Sequence, residues 1–355
     1  MKGSGISRRD VLVGSSALAA GAVFSTRVMS AAPPPTAITP QLIEAAKKEG
    51  KVVWYTSVDL PLAEKIAKSF EAKFPGVTVR VERTGAERVF QRIGQEYGSN
   101  IHAVDVANSS DAAHFIVWKG QGLLEAYVPE DVAKVYPAEH KDPDGMFASF
   151  RVWVSIIAYN TNLVKKEDAP KSFADLLDPK WKGKIVKAHP GYSGTIMTAT
   201  YQMQRDLGWG FFEKLAAQNI MQVQSSADPP KRLALGERAV MADGNEYNIF
   251  QIAEKGGPVA PVYATEGSPL IVGPTGMFKA APNPNAARLF CSYSFTAECQ
   301  QLIIDVGGLR SMHPDTKEKP GRTPFKQIKV MKDDPAAVEK MSDEIKQHYV
   351  KIFHV

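Results

Sequence analysis

Three small residues in the middle of the chain, Ser193, Gly194 and Thr195, stand where a short β-strand leads into an apolar helical stretch. A Gly/Ser loop that opens a helix leaves backbone N–H groups without partners, and the helix dipole adds positive potential there. The spacing therefore predicts a turn that accepts an anion. Two neighbours add candidates: the Tyr192 ring could stack on an organic ligand, and His189 could either donate to an anion or be a surface loop residue.

Hydroxyl-rich loops follow three predicted strands in the N-terminal part of the chain, over residues 55–59, 84–87 and 108–111. In a parallel sheet the carboxyl ends of the strands meet at one edge, where ligands bind. Alternatively, each loop only caps the helix that follows it. The candidate ligand-binding residues in these loops are Asp59, Thr84, Gly85, Ser109 and Ser110.

The elements that position these loops alternate between strand and helix. Strands are predicted at 51–56, 77–81 and 102–106, and helices at 40–50, 60–74 and 86–97, with a further helix ending at 119. This order predicts an α/β protein with a parallel, doubly wound sheet. A second α/β unit is predicted from strands at 184–187, 221–223, 239–241 and 261–263.

The run DLLDPKWKGKI at residues 175–185, followed by SGT at a helix start, resembles the periplasmic solute-binding proteins of ABC importers. The resembled group is the ferric-iron-binding type, and the likeness covers nearly the whole mature chain. It implies the type II periplasmic binding protein fold, in which two lobes, each a doubly wound sheet, are joined by crossover strands at 151–160 and 268–279. It also implies a ligand captured between the lobes and an ABC permease in the inner membrane as partner, and we expect a monomer.

The same resemblance assigns metal-ligand positions. Ferric-binding relatives carry two adjacent tyrosines where this chain has Glu246 and Tyr247, after Asn245, and Asp59 stands where they carry a histidine. Fe³⁺ accepts oxygen donors, so Asp59, Glu246 and Tyr247 are predicted ligands of a transported Fe(III), with phosphate or carbonate as the accompanying anion. Ser110 stands in the position of a further glutamate ligand.

Two alternatives to iron remain open for these residues. Some relatives without the tyrosine pair bind phosphorylated or cationic organic solutes, such as a sugar phosphate, a phosphonate, thiamine or a polyamine. Glu246 and Tyr247 could also simply form the first turn of a helix, where the dipole favours an acidic residue.

The N-terminus has the pattern of an export signal. Arg8 and Arg9 precede a short apolar run, which resembles the twin-arginine motif, with a general secretory signal as the alternative. We therefore expect a periplasmic protein with a cleaved signal and a flexible, Pro-rich leader. The predicted division of the chain is signal 1–31, leader 32–39, lobe 1 at 40–157 plus 268–312, and lobe 2 at 158–267 plus 313–355.

Composition narrows the class of protein. Most of the formal charge of +5 lies in the first thirty residues, which leaves a nearly neutral chain and argues against nucleic acid as a partner. Cys291 and Cys299 are expected to be buried free thiols, because eight residues on one helix would separate them by about 12 Å. No common catalytic motif is present. We expect a binding protein without a resident cofactor; a receptor-coupled sensor and an exported enzyme are the alternatives.

Overall fold

The computed structural model describes residues 31–355, so that the predicted signal at 1–31 falls almost wholly outside the described residues. The N-terminal half begins with the alternation predicted from the sequence. Its elements are α1 (Pro40–Glu49), β1 (Lys51–Thr56), α2 (Leu60–Lys73), β2 (Thr78–Arg83), α3 (Ala86–Gly98), β3 (Val106–Asn108), α4 (Ala113–Gly120), α5 (Glu130–Val135) and β4 (Ala148–Val154).

The rest of the described chain carries a second set of strands and helices. These elements are β5 (Ile157–Asn160), β6 (Ile185–Ala188), α6 (Gly194–Leu207), α7 (Trp209–Ala216), β7 (Met221–Val223), α8 (Asp228–Ala234), β8 (Val240–Met241), α9 (Glu246–Ala253), β9 (Val259–Val262), β10 (Ser268–Met277), α10 (Pro284–Ser294), α11 (Ala297–Asp305), β11 (Val330–Met331) and α12 (Pro335–Phe353). None of the helices within 31–355 is long and apolar enough to cross a membrane.

The first sheet has the strand order β11-β10-β3-β1-β2, with β4 also paired to β10. Strand β1 runs parallel to both of its neighbours, whereas β10 is antiparallel to β3. Alternate residues of β1 enter separate cores: Val52 and Trp54 pack with Phe70 and Phe290 on one face, and Tyr55 packs with the cluster on the other face. Because both faces of β1 are covered by other elements, apolar side chains are favoured on both, which explains its continuous apolar run.

The second sheet has the order β7-β6-β8-β5-β9. Strand β6 is parallel to β7 and β8, and β5 is antiparallel to β8 and β9. Phe173, Trp181, Phe212 and Tyr349 are buried on one of its faces. The two sheets form the cores of two lobes.

The crossing from the first lobe to the second is not one continuous strand. The predicted strand at 151–160 is broken, because Ser155 donates its N–H to the carbonyl of Pro269 (2.9 Å) and Ile156 donates to Gly244 (2.9 Å). β4 therefore ends on the first sheet and β5 begins on the second. The return crossing lies between β9 and β10.

The C-terminal segment touches both lobes. β11 pairs with β10 in the first sheet, although the sequence analysis assigns residues 313–355 to lobe 2. α12 packs against α4 of the first lobe and against α6 and α7 of the second. The remaining lobe boundaries stay a prediction.

The structure settles three local expectations: the bounds of the third strand, the leader and the two thiols. The third strand lies at 106–108 rather than 102–106, where the Asp105 carboxylate accepts from the Val53 N–H (2.7 Å) and from Asn283. The leader was expected to be flexible, yet Thr36 donates to Val128 (2.9 Å) and accepts from Glu130 (3.1 Å). The two thiols are free and buried on the separate helices α10 and α11, as predicted.

Candidate functional site

A small polar cavity lies between the two lobes, where strands of both sheets end in loops. Its lining comes from both lobes: Ser57, Asp59, Arg83, Gly85, Ala86, Ser110, Arg151, Trp153, Tyr192, Ser193, Gly194, Thr195, Ser225, Ser226, Ala227, Asn245 and Tyr247. Two larger cavities, of about 560 and 620 Å³, have mostly apolar walls and lie away from these strand ends. Ligands of α/β proteins bind beyond the carboxyl ends of strands, so we take the polar cavity as the candidate site.

The structure brings together nine of the residues singled out from the sequence. Asp59, Gly85, Ser110, Tyr192, Ser193, Gly194, Thr195, Asn245 and Tyr247 all line the cavity. Thr84, Ser109, His189 and Glu246 do not line it. Sequence reasoning missed the two cationic residues of the lining, Arg83 and Arg151.

The turn at Ser193 opens α6 as the sequence predicts. The Ser193 hydroxyl caps the helix by accepting from the Ile196 N–H (3.4 Å), and the Met197 N–H reaches the Ser193 carbonyl (2.9 Å). The N–H groups of Gly194 and Thr195 belong to the first turn, which has no intrahelical partners. They are the groups that an anion in the cavity would meet.

Gly194 lies where the two lobes meet, and a side chain there would collide with the facing lobe. A Cβ at this position would lie 2.6 Å from the Asp111 Cβ and 3.2 Å from the Asp111 backbone nitrogen. The absent side chain therefore permits close approach of the facing lobe rather than of the ligand. The two lobes are in contact at this point, which is consistent with a cavity volume of only about 50 Å³.

Helix N-termini from both lobes point at the cavity. Gly85 and Ala86 begin α3, Ser193 caps α6, and Asn245 caps α9. Each such terminus carries a partial positive charge of about half an elementary charge. Their convergence makes the cavity favourable for a negative group.

Arg151 is a buried cation of the lining, and Asp59 is the one carboxylate that shares this lining with it. Its side chain is 2% exposed, donates from Nη2 to the Ser57 hydroxyl (2.9 Å), and lies over the Trp153 ring at 4.8 Å. Its Nε has no hydrogen-bond partner, and no acidic residue of 31–355 forms an ion pair with it. Burial lowers the pKa of Arg151, and the Asp59 carboxylate opposes this shift.

Arg83 is the second cation of the lining and is better compensated. Its Nη2 lies 3.6 Å from the Asp59 carboxylate, and its Nε donates to the Val58 carbonyl (3.3 Å). Asp59 is thus already engaged by a cation, and the charged side chains of the lining carry one positive charge more than they carry negative ones.

Tyr247, Asn245 and Trp153 form a hydrogen-bonded wall. Trp153 Nε1 donates to Asn245 Oδ1 (3.1 Å), and Asn245 Nδ2 donates to the Tyr247 hydroxyl (3.0 Å) and to Ser226 (3.2 Å). Burial, followed by the Asp59 charge, raises the pKa of Tyr247 well above its ordinary value.

Glu246 faces away from the cavity, which corrects its assignment as a metal ligand. Its carboxylate is fully buried and accepts from Arg310 at both oxygens (2.6 and 3.0 Å) and from the Tyr263 hydroxyl. The structure thus does not assemble the predicted triad with Asp59 and Tyr247. Within the part of the chain that is described, no group of three His, Cys, Asp or Glu residues is placed to hold a metal.

The other three residues outside the lining have structural partners. The Ser109 hydroxyl contacts His114 Nδ1 (2.9 Å), and the Thr84 N–H donates to the Thr56 carbonyl (3.1 Å). His189 Nδ1 accepts from the Gly191 N–H (2.9 Å), and its ring packs against Tyr349. Burial, with a smaller effect of Lys187, lowers the pKa of His189. These contacts engage the three residues within the protein, and His189 is buried rather than a surface loop residue.

The sequence context of Arg83 and Arg151 could have identified both as candidate site residues. Arg151 opens the long apolar run RVWVSIIAYN, in which a lone charged residue is out of place. Arg83 ends β2 immediately before the predicted loop at 84–87. Arg83 lies at a strand end where the sequence predicts the ligand, whereas Arg151 lies in the middle of β4.

Comparison with known proteins supports the same type of site. The family model for bacterial extracellular solute-binding protein matches residues 105–330. The structure of the periplasmic binding protein AfuA from Actinobacillus pleuropneumoniae, with fructose-6-phosphate bound, superimposes with a TM-score of 0.79 at 25% identity, covering 86% of this chain and 99% of that one.

Iron-associated proteins are similar as well. Iron-bound HitA from Pseudomonas aeruginosa gives a TM-score of 0.75 at 22% identity, covering 85% of this chain and 99% of that one. Iron uptake protein A1 of Synechocystis is 25% identical over 244 residues, 64% of this chain and 66% of the relative. These likenesses confirm the predicted two-lobe fold of type II periplasmic binding proteins.

The family match spans more than half of the chain. The chain therefore belongs to the bacterial extracellular solute-binding proteins, and its predicted role as the solute-binding component of an ABC transporter is confirmed.

Proposed function

We propose that this protein captures a small organic solute bearing a phosphate or phosphonate group between its lobes and delivers it to an ABC permease. The observation that carries the proposal is Arg151, a buried guanidinium of the cavity that hydrogen-bonds one hydroxyl, keeps Nε without a partner and forms no ion pair within residues 31–355. The Ser193 turn, on the other lobe, supplies the opposing N–H groups.

The energetic argument rests on the cost of burying a charge. A cation removed from water loses several kcal/mol of solvation unless it is paired and hydrogen-bonded. The Ser57 hydroxyl and the Trp153 ring offset only part of this cost. Arginine and an oxyanion pair through two parallel hydrogen bonds, so an anionic ligand is the group that this cavity lacks.

The remaining lining residues suit the organic part of the solute. The carboxylate of Asp59 and the side chains of Asn245 and Tyr247 can hydrogen-bond hydroxyl or amino groups. Tyr192 lines the cavity and is 56% exposed, so its ring is free to cover a ligand. A sugar phosphate or an aminophosphonate meets these requirements.

Ferric iron ranks second among the ligands. Of the three predicted metal ligands only Asp59 and Tyr247 reach the cavity, where Asp59 is already engaged by Arg83. Because the chain is similar to iron-binding relatives, we include Fe³⁺ among the ligands to be tested. The residues of the cavity lining favour the anionic solute.

Calorimetric titration with fructose 6-phosphate, inorganic phosphate, fructose and Fe³⁺ plus phosphate separates these ligands. We expect heat with the phosphorylated solutes, none with fructose, and no colour with iron. A visible charge-transfer band with Fe³⁺ that Tyr247→Phe abolishes, together with no response to phosphorylated solutes, would reverse the ranking.

Export is the second part of the proposal. The Arg8-Arg9 pair ahead of an apolar run supports export through the twin-arginine route to the periplasm. Replacing both arginines by lysine should leave unprocessed precursor in the cytoplasm. Normal periplasmic accumulation of that double variant would show that another export route is used.

A further inference from the structure

A fully buried ion pair lies directly behind the cavity, between Arg310 and Glu246. Arg310 Nη2 and Nε donate to the two Glu246 oxygens at 2.6 and 3.0 Å. The two side chains are 3% and 0% exposed. Neither residue lines the cavity, and the ligand does not need to touch them.

Arg310 is joined to the strand that carries the first-lobe side of the site. Its backbone exchanges two hydrogen bonds with Val152, from the Val152 N–H (3.0 Å) and to the Val152 carbonyl (2.8 Å). Val152 lies between Arg151 and Trp153, both of which line the cavity. Any shift of Arg310 is therefore transmitted to those two side chains.

Glu246 occupies the matching place on the second lobe. It is the first residue of α9 and stands between Asn245 and Tyr247, which also line the cavity. The Tyr263 hydroxyl, from the segment after β9, fixes the same carboxylate. The ion pair thus connects the two groups of lining residues, each one residue away from the cavity.

The segment around Arg310 holds α9 by further contacts. The Gln251 side chain donates to the Gly307 carbonyl (2.8 Å), and the Arg322 guanidinium lies 4.3 Å from the Phe250 ring centre. Arg310 Nη2 also donates to the Thr323 carbonyl (3.0 Å). The ion pair is the centre of a contact that spans the lobes next to the crossing at 155–156.

We infer that Arg310 and Glu246 are a positioning pair, which fixes the first-lobe and second-lobe halves of the ligand site relative to each other. The inference rests on the proposed function of the cavity. A pair beside the crossing can keep its distance while the lobes swing, because displacements are smallest near a hinge. The pair therefore lies where it can set the separation between Arg151 and the Ser193 turn, the two groups proposed to bind the oxyanion.

The test separates positioning from simple stabilisation. Removing one partner leaves a buried charge and should destabilise the fold, whereas replacing both by apolar residues of similar length is often neutral. We expect Glu246→Met and Arg310→Met to lower the melting temperature singly and the double variant to recover most of it. Affinity for fructose 6-phosphate should stay at least tenfold weaker in the double variant.

Lys187 and Asp243 provide a matched control. This pair is also fully buried, with Nζ 2.7 Å from Oδ2, but it lies within the second lobe. The double variant Lys187→Met, Asp243→Leu should bind fructose 6-phosphate as the unmodified protein does. Equal affinity in the Glu246/Arg310 double variant would overturn the positioning role.

A ligand-free measurement keeps the inference independent of the proposed ligand. Spin labels on Ile101→Cys and Leu235→Cys, both exposed positions on different lobes, report the interlobe distance without disturbing the buried native thiols. We expect a broader distance distribution in the Glu246/Arg310 double variant than in the Lys187/Asp243 control. Identical distributions would overturn the inference, whereas failure of the unmodified protein to bind any phosphorylated solute would overturn only the proposed function.

Discussion

Two buried arginines, one at the front of the ligand cavity and one behind it, are treated differently by the fold. Arg151 and Arg310 are 2% and 3% exposed and lie on neighbouring backbone segments. Arg310 meets both oxygens of Glu246, while Arg151 meets one hydroxyl and one aromatic ring. The paired arginine holds two backbone segments together, and the unpaired one is the group that we propose to meet the ligand.

Whether a buried, unpaired group can be neutralised by a change of protonation depends on whether it is an acid or an arginine. Asp333 is a partly buried carboxylate without an ion-pair partner among residues 31–355, and it can become neutral by taking up a proton. An arginine cannot become neutral in this way, because its guanidinium stays protonated in proteins. Within residues 31–355 no carboxylate pairs directly with Arg151, so an anion from outside the chain is the partner that we propose for it.

The largest predicted effect comes from removing Arg151. Arg151→Met should weaken binding of fructose 6-phosphate by roughly 100-fold or more, since truncating one partner of a buried charge pair costs about 2–5 kcal/mol. Arg83→Met should cost about tenfold, because Arg83 is more exposed and already paired with Asp59. Calorimetric titration of both variants checks the order, and equal losses would remove the distinction between paired and unpaired arginines.

A smaller effect is expected from holding the lobes apart at the front of the cavity. In Gly194→Ala the new Cβ meets the Asp111 backbone, so the lobes should close less fully and affinity should fall about tenfold, or ~1.4 kcal/mol. Gly94→Ala is the control, since a Cβ there meets nothing within 4 Å and alanine favours the helix interior. Unchanged affinity in a folded Gly194→Ala would show that this contact is not needed for binding.

The smallest predicted effect is the pH response of the unpaired carboxylate. Burial, with a further contribution from Asp111, raises the pKa of Asp333 to about 7. A raised carboxylate contributes stability below its unfolded pKa of about 4 and loses it as the pH rises through about 7. Asp333→Asn should therefore remove about 1 kcal/mol of the fall in unfolding free energy between pH 5 and pH 8, a modest amount because Asp333 keeps contact with solvent. Urea unfolding at both pH values measures it, and parallel pH profiles for the two proteins would contradict the assignment.

The features that could be predicted from the sequence are those set by residues adjacent in the chain. The Ser193 turn depends on a strand, three small residues and a helix start, all adjacent in the chain, and its geometry follows from them. The strand-helix alternation from β1 to α4 follows from apolar periodicity in the same way. These features place the cavity at the predicted edge of the sheets.

The misassigned residues depend on partners that are distant in sequence. Glu246 is turned away by Arg310, 64 positions along the chain, and Gly194 is needed because of Asp111 in the facing lobe. Arg151 stands out only when the whole fold shows that no carboxylate reaches it. Local sequence patterns contain none of this information, because ion pairing within a core is decided by tertiary packing.

The central claim is that burying Arg151 costs free energy, which a bound oxyanion offsets. The most direct test is to measure the unfolding free energy of the unmodified protein and of Arg151→Met, each with and without inorganic phosphate. Without phosphate, we predict that Arg151→Met is at least as stable as the unmodified protein, because it lacks an uncompensated buried cation. Phosphate at about 100 times its Kd should stabilise the unmodified protein by roughly 2.7 kcal/mol, and the variant, which binds about 100-fold more weakly, by no more than about 0.4 kcal/mol. A variant that is less stable in phosphate-free buffer, and that gains as much from phosphate as the unmodified protein does, would contradict the account.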